Sequence, residues 1–146
     1  MSTDFAVHMC QWRGAQRELR LVRHAVFVVE QRVPESLEWD DFDHTSLHAL
    51  ARSANGDAIG CARLLPDGHI GRVAVLVHWR RRGVGSALLL RLIDEARTRG
   101  HARIRLNAQV DAMPFYARYD FVGRGDVFDE AGIAHRAMEL VLGSSA

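Results

Sequence analysis

The chain contains no lysine, because all 19 of its Lys and Arg positions are arginine. A P-loop needs a lysine followed by Ser or Thr after its second glycine, so that class of phosphate site is excluded. Schiff-base catalysis depends on a lysine amine and is excluded as well. No apolar run reaches the roughly 18 residues of a membrane span, so we expect no transmembrane segment and no membrane partner.

Cysteine and net charge are also scarce. Cys10 and Cys61 are the only cysteines, too few for a disulfide framework, and we expect free thiols in a reducing cytoplasm. The net charge of +1 gives no general attraction to nucleic acid. Residues 1–4 show no basic, apolar secretory leader, so a cytoplasmic location is expected.

A metal site is not expected, although the chain has eight histidines. The His44 and His48 pair is four residues apart, but His48 falls in a predicted strand. Zinc-binding pairs with this spacing occur on one face of a helix.

The most informative stretch is 73–86, in which an apolar strand is followed by Arg80, Arg81 and Arg82 and then by a helix that Gly83 and Gly85 open. The first turn of a helix has free N–H groups and the positive end of the helix dipole, and both favour an anion. A dinucleotide fingerprint would require a further glycine where Leu88 stands. The stretch therefore predicts a polyphosphate site of another kind.

Periodicity predicts a single domain, 1–146, with a mixed α/β sheet and helices on both faces. The predicted strands are 6–12, 47–52, 58–65, 70–77, 102–108, 121–124 and 134–142. The predicted helices are 16–31, 83–99 and 112–119.

Two segments of this chain resemble the GNAT N-acetyltransferase superfamily. Arg80-x-x-Gly83-x-Gly85 is similar to its acetyl-coenzyme A signature, and residues 112–121 resemble its A-x-x-F-Y-x-x-x-G-F segment. Residues 27–31, the following acidic run and residues 126–135 resemble the ElaA-like branch. The sequence departs from the usual pattern at Val77, Arg81, Gln109 and Asp120.

The resemblance implies a mostly antiparallel GNAT-like sheet that binds acetyl-CoA as acyl donor. The backbone of Val73, Ala74 and Val75 would pair with the pantetheine arm. The diphosphate would be held by the region of Arg80, Arg81, Arg82, Gly83, Val84, Gly85 and Ser86. Gln109 would either hydrogen-bond the donor or orient Tyr116, and a simple polar strand end is an equal alternative.

Tyr116 is predicted to be the general acid, because a tyrosine keeps its proton at neutral pH and can donate it to a departing thiolate. Tyr119 is expected to be structural. Glu30 is the predicted general base, with Asp40, Asp41, Asp43, His44 and His48 as further candidates. A helix cap or an ion pair with an arginine is an equal alternative for Glu30. The acidic run would attract a cationic amine, and a solvated acidic loop is the alternative. Asp40, Asp43 and His48 are the predicted acceptor-binding residues.

The resulting prediction is an N-acetyltransferase that acts on a primary amine of a small molecule or protein. One alternative is a sensor that binds acyl-CoA without turnover, and another is a transferase of longer acyl chains. The resemblance leaves a homodimer open.

Overall fold

Seven strands form one sheet in the order β1-β2-β3-β4-β5-β7-β6. The structure is a computed structural model that describes residues 4–143. Neighbouring strands are antiparallel except for β4 and β5, which are parallel. The predicted mostly antiparallel sheet is confirmed. The strands are β1 (Phe5–Gln11), β2 (Leu47–Ser53), β3 (Ala58–Leu64), β4 (His69–Val75), β5 (Arg103–Gln109), β6 (Val122–Glu130) and β7 (Ile133–Val141).

Helices cover both faces of this sheet, because side chains alternate between its faces. The α-helices are α1 (Trp12–Arg23), α2 (Glu35–Glu38), α3 (Val84–Thr98) and α4 (Met113–Ala117). Leu50, Cys61 and Ala74 form a core cluster with α1. Ala49, Ala51 and Ala62, on alternate positions of β2 and β3, belong to a second cluster with α3.

A glycine on β3 allows the start of α3 to pack closely on the sheet. A Cβ atom at Gly60 would lie 3.0 Å from Cγ1 of Val84 and 3.1 Å from Cδ1 of Leu88. These distances are too short for a relaxed side chain, so the close approach depends on glycine. The packing fixes where the first turn of α3 lies relative to β4.

The first helix is longer and less regular than predicted. It begins at Trp12 rather than at residue 16. Over His24–Glu30 it continues as a π-helix. The N–H of Val33 closes this segment by donating to the carbonyl oxygen of Phe27, 2.8 Å away. The wider turns carry Glu30 and Gln31 over the ends of the central strands.

β4 bends at a bulge next to the site described below. Its register with β3 shifts between the pairs Arg63–Gly71 and Cys61–Ala74. Arg72, inside this shift, has a φ of 52°. A bulge increases local twist and bends the strand that carries it. The pairing of β4 with β5 ends at Ile70, immediately before this bulge.

No helix among the described residues is long and apolar enough to cross a membrane. The predicted absence of a leader concerns a segment whose first three residues lie outside the described range.

Candidate active site

The two parallel strands β4 and β5 are paired only over a short stretch. The pairs are His69 with Arg105 and Ile70 with Leu106. Beyond them the strands diverge, and a cleft of about 720 Å³ opens between them. Within residues 4–143 no strand pairs with this side of β4 after Ile70, so its backbone edge can hydrogen-bond an extended ligand that carries amides. The predicted pantetheine-binding residues Val73, Ala74 and Val75 all line the cleft.

A glycine turn opens α3 at one end of the cleft, as predicted. Gly83 precedes the helix with a left-handed φ of 84°. Its carbonyl oxygen accepts a hydrogen bond from the N–H of Ala87 at 3.0 Å. The N–H groups of Val84, Gly85 and Ser86 lie in the first turn, where a helix has no partners of its own for them. Gly85 lines the cleft, so this turn is suited to an anion.

The three consecutive arginines, Arg80, Arg81 and Arg82, make different contacts. Arg80 donates from Nε to the carbonyl oxygen of Val75 at 2.9 Å. The guanidinium of Arg82 lies over the ring of Trp79, 5.2 Å from its centroid. Arg81 is exposed and has a φ of 63°. Arg81 stands where the family commonly has glycine, and its left-handed backbone explains that preference.

Glu30 and Arg80, predicted as base and phosphate ligand, bind each other. Both carboxylate oxygens of Glu30 accept hydrogen bonds from the Arg80 guanidinium, at 2.6 and 2.7 Å. These bonds lower the pKa of Glu30, although burial acts in the opposite direction. A carboxylate held in this way is a poor proton acceptor. The structure therefore favours the alternative for Glu30, an ion pair with an arginine, over the role of general base.

Tyr116 lies on α4 and is 8% exposed. Its ring packs edge-on against Phe115 and Phe121, with centroids 5.0 and 5.9 Å away. Burial raises the pKa of Tyr116 to about 12. The side chain lines the cleft and stays protonated at neutral pH.

Tyr119, three residues further along, has a different role. Its hydroxyl donates to Oγ of Ser86 at 2.6 Å. This bond joins the end of α4 to the first turn of α3, in agreement with the structural role predicted for Tyr119. Ser86 keeps its backbone N–H for a ligand.

Gln109 reaches across the cleft. Its Nε2 donates to Oε1 of Gln31 at 2.9 Å, which joins the end of β5 to the residue that follows the π-helix. Sequence reasoning did not identify this partner, because the two glutamines are 78 positions apart.

The acidic segment after α1 forms a buried network with three arginines. Arg23, which is 1% exposed, donates to Oε1 of Glu38 at 2.6 Å and to Oδ1 of Asp43 at 2.8 Å. Arg63 donates to both oxygens of Asp40, at 2.8 and 3.0 Å. Arg72 completes the network with a bond to Asp40 at 3.1 Å.

This network changes the interpretation of the predicted acceptor-binding residues. Asp43 and His48 are 3% and 1% exposed, so neither side chain is accessible to an acceptor. Burial lowers the pKa of His48, and its Nε2 donates to the carbonyl oxygen of Asp43 at 2.9 Å. Asp41 and His44 are exposed and do not line the cleft.

Asp40 is the predicted acceptor-binding residue that does line the cleft. Burial alone would raise the pKa of this carboxyl group, but hydrogen bonds from Arg63 and from the backbone N–H of Phe42 lower it below its usual value. Asp40 therefore carries its charge at the cleft wall at neutral pH.

Two further residues of the cleft were missed as site residues. His135 on β7 and Glu130 on β6 both line it, and Nε2 of His135 is 3.4 Å from Oε2 of Glu130. The sequence signal for these two residues is segment 126–135, whose resemblance to the ElaA-like branch does not single out individual side chains. Within residues 4–143, no group of three or more His, Cys, Asp and Glu side chains is arranged to hold a metal ion.

Comparisons with known proteins agree with this geometry. The sequence profile described as "Acetyltransferase (GNAT) domain" matches residues 14–142. YjcF of Bacillus subtilis, described as an uncharacterized N-acetyltransferase, is 35% identical over 121 residues, which cover 80% of this chain and 86% of YjcF. ElaA of Escherichia coli is 30% identical over 125 residues, which cover 80% of this chain and 81% of ElaA.

Solved structures give the same result. The crystal structure of Escherichia coli ElaA superposes with a TM-score of 0.83 at 27% identity, covering 93% of this chain and 99% of that one. An acyl-CoA N-acyltransferase from Pseudomonas aeruginosa superposes with a TM-score of 0.83 at 28% identity, again covering 93% of this chain and 99% of the other.

Proposed function

Because the chain belongs to the acetyltransferase (GNAT) family and resembles its ElaA-like branch, we propose that it transfers an acetyl group from acetyl-CoA to a primary amine of a small molecule or protein. N-acyl transfer in general follows from the family. The observation that carries the proposal is the open backbone edge of β4, which lies between a glycine-opened helix and Tyr116 in one cleft.

The donor would lie along β4. Pantetheine carries amides, and the edge at Val73–Val75 offers backbone groups that can pair with them as a neighbouring strand would. The carbonyl oxygen of Val75 is the exception, because it already accepts a hydrogen bond from Arg80. The N–H groups of residues 81–86 and the positive end of the α3 dipole support a bound diphosphate. Arg81, whose side chain is exposed at this turn, adds a positive charge there.

The chemistry is the attack of an amine on the thioester carbonyl carbon, followed by breakage of the C–S bond. The departing sulfur carries negative charge and needs a hydrogen-bond or proton donor. Tyr116 supplies one, because burial holds its pKa at about 12 and keeps the hydroxyl protonated. The apolar rings around it also disfavour a free thiolate, which strengthens the tendency of the sulfur to accept the proton.

The acceptor would enter from the side of the cleft that Asp40 and Phe42 line. There the ionised carboxylate of Asp40 can accept a hydrogen bond from the amine in addition to those from Arg63 and Arg72. A cytoplasmic location fits an enzyme that uses acetyl-CoA, and both cysteines are free thiols.

The test combines calorimetry with acetyl-CoA and a thiol-release assay over a panel of amines. We expect acetyl-CoA to bind and at least one amine to drive thiol release. Tyr116→Phe is expected to keep binding within about twofold and to lower the rate about 10²- to 10⁴-fold, which is the usual contribution of a general acid. Tyr119→Phe removes a hydroxyl from the same segment and serves as the matched control that retains turnover.

Two results would contradict the proposal. If acetyl-CoA binds tightly and no amine drives thiol release, the chain is an acyl-CoA sensor. If a longer acyl-CoA is turned over and acetyl-CoA is not, the chain is a transferase with a different donor.

A further inference from the structure

We propose that His135 is the general base that removes the proton from the acceptor ammonium group, and that Glu130 stabilises the resulting imidazolium. This assignment rests on the proposed amine acyl transfer. It replaces Glu30, whose carboxylate is held by Arg80.

Hydrogen bonding fixes which nitrogen of His135 is basic. Nδ1 lies 2.7 Å from the carbonyl oxygen of Ile133. A carbonyl oxygen can only accept, so Nδ1 carries the proton of the neutral ring and Nε2 keeps its lone pair. His135 is 7% exposed, and its ring stacks on Phe128 with centroids 6.0 Å apart. The ring is therefore held in one orientation.

Glu130 is placed to stabilise the protonated ring. Its Oε2 is 3.4 Å from Nε2 of His135. In the neutral ring no proton lies between these two atoms, whereas protonation at Nε2 creates an ion pair. A base with this arrangement gains a favourable interaction when it accepts a proton.

The position of His135 relative to the proposed acid also fits. His135 is the register partner of Gln109, the last residue of β5. The turn after Gln109 leads directly into α4, which carries Tyr116. His135 and Tyr116 line the same cleft, so base and acid lie at the same end of β5, where the strands have diverged.

The other acidic and histidine side chains of the cleft are held elsewhere. Glu38 is bound by Arg23 at 2.6 Å, and Asp40 is bound by Arg63 at 2.8 Å. His69 is at the beginning of β4, where the strands are still paired, and its Nδ1 is 2.9 Å from Asp67.

The remaining charges near His135 do not compete with Glu130. On β5 the neighbouring cleft residues Asn107 and Gln109 are uncharged. Arg136, the next residue on β7, directs its Nε to the carbonyl oxygen of Gly125, 3.0 Å away. The other ionisable side chains at this end of the packed elements are exposed, namely Asp111 on the turn after β5 and Asp126 and Asp129 on β6.

The proton balance is complete. Nε2 of His135 takes one proton from R–NH₃⁺, and the free amine attacks the thioester carbon. The C–S bond breaks, and the sulfur takes the proton of the Tyr116 hydroxyl. The attached nitrogen then loses its second proton, which restores Tyr116, and His135 releases its proton to solvent. The sum is an amide, a thiol and one proton.

The test is the pH dependence of kcat/KM for amine acylation in the wild type, His135→Asn and Glu130→Gln. Asparagine can keep the hydrogen bond to Ile133 but has no group at Nε2. We expect His135→Asn to lower kcat/KM at pH 7 by about 10²- to 10⁴-fold, with acetyl-CoA affinity within twofold by calorimetry. The loss should shrink about tenfold per pH unit towards the pKa of the amine, because the amine then arrives unprotonated.

The side chain of Glu130 is 53% exposed, so we expect the second variant, Glu130→Gln, to fold as the wild type does. We expect a smaller loss of kcat/KM, because the protonated ring of His135 then lacks its carboxylate partner. An unchanged profile in both variants would overturn the assignment, and so would a loss that is the same at every pH. A wild type that binds acetyl-CoA but acylates no amine would instead overturn the proposed function itself.

Discussion

Substitutions at Gly85 distinguish what this position requires for stability from what it requires for donor binding. A Cβ atom there would lie 3.5 Å from Cζ of Phe115 and 3.8 Å from Cγ2 of Val75. Both are ordinary van der Waals distances, so Gly85→Ala introduces no clash. Alanine is favoured over glycine in a helix by up to about 1 kcal/mol, which corresponds to a Tm about 2–4 °C higher for a chain of this length.

A bulkier side chain would impair donor binding, and Gly85→Val is the variant that tests this. Gly85 lines the cleft in the first turn of α3, where we place the diphosphate. Loss of one charge-assisted hydrogen bond costs about 1.5–3 kcal/mol, so we expect the acetyl-CoA affinity of Gly85→Val to fall roughly 10- to 150-fold. Thermal unfolding of Gly85→Ala and calorimetry of Gly85→Val measure the two effects.

Gly100→Ala is the matched control, because Gly100 follows the other end of α3 and does not line the cleft. A Cβ atom there meets nothing within 4 Å, but the φ of 83° costs an alanine roughly 1–2 kcal/mol. We therefore expect lower stability for this variant. If Gly85→Val binds acetyl-CoA as tightly as the wild type, the diphosphate does not approach this turn and the reasoning fails.

Three further predictions concern stability. Arg23→Ala should lower the free energy of unfolding by about 3–5 kcal/mol, because it breaks two buried ion pairs and leaves Glu38 and Asp43 with one arginine partner each. Exposed Arg13→Ala on the same helix should change it by less than about 0.5 kcal/mol, and equal effects in urea unfolding would contradict the network. The pKa of His48 is lowered by burial, so below about pH 6.5 the unfolded chain binds a proton at this residue more readily than the folded chain does. The free energy of unfolding should therefore fall as the pH drops below that value, by up to about 1.4 kcal/mol per pH unit. His48→Gln should have a shallower slope between pH 7.5 and 5.5, and an unchanged slope would show that another group is responsible. Asp120→Gly should raise the free energy of unfolding by up to about 1 kcal/mol, because Asp120 has a φ of 72°, and a lower Tm would contradict this reasoning.

The local parts of the site could be predicted from the sequence. The strand, the glycine turn and the amphipathic helix at 73–99 are specified by neighbouring residues, and the structure confirms them. Arg81 and Asp120 stand where the superfamily usually has glycine, and both have a positive φ. Glycine adopts this backbone conformation without strain, whereas Arg and Asp adopt it at some cost in free energy.

Two elements could not be read from local patterns. The segment 25–29 is entirely apolar, so it has no polar face from which a π-helix could be distinguished from an α-helix. The predicted strand 121–124 is in fact Val122–Glu130. This edge strand is almost fully exposed, contains Gly123 and Gly125, and lacks the apolar alternation that marks a half-buried strand.

The partners within the site are set by tertiary structure. Glu30 and Arg80 are 50 positions apart, and no spacing rule joins them. Asp43 lies in the acidic run, which reads as a solvated loop, but arginines from α1 and β3 bind it in the interior. His48 lies in the strand that follows and is buried as well. The charge pattern of the sequence could therefore identify the residues of this region but not which of them face the acceptor.

The most direct test measures acetyl-CoA consumption and acylated product together, with an amine that drives thiol release. If the cleft transfers the acetyl group to the amine, each mole of thiol released is matched by one mole of N-acetyl product, and Tyr116→Phe slows both equally. Thiol release without N-acetyl product, or release that does not depend on the amine, would contradict acyl transfer at this site.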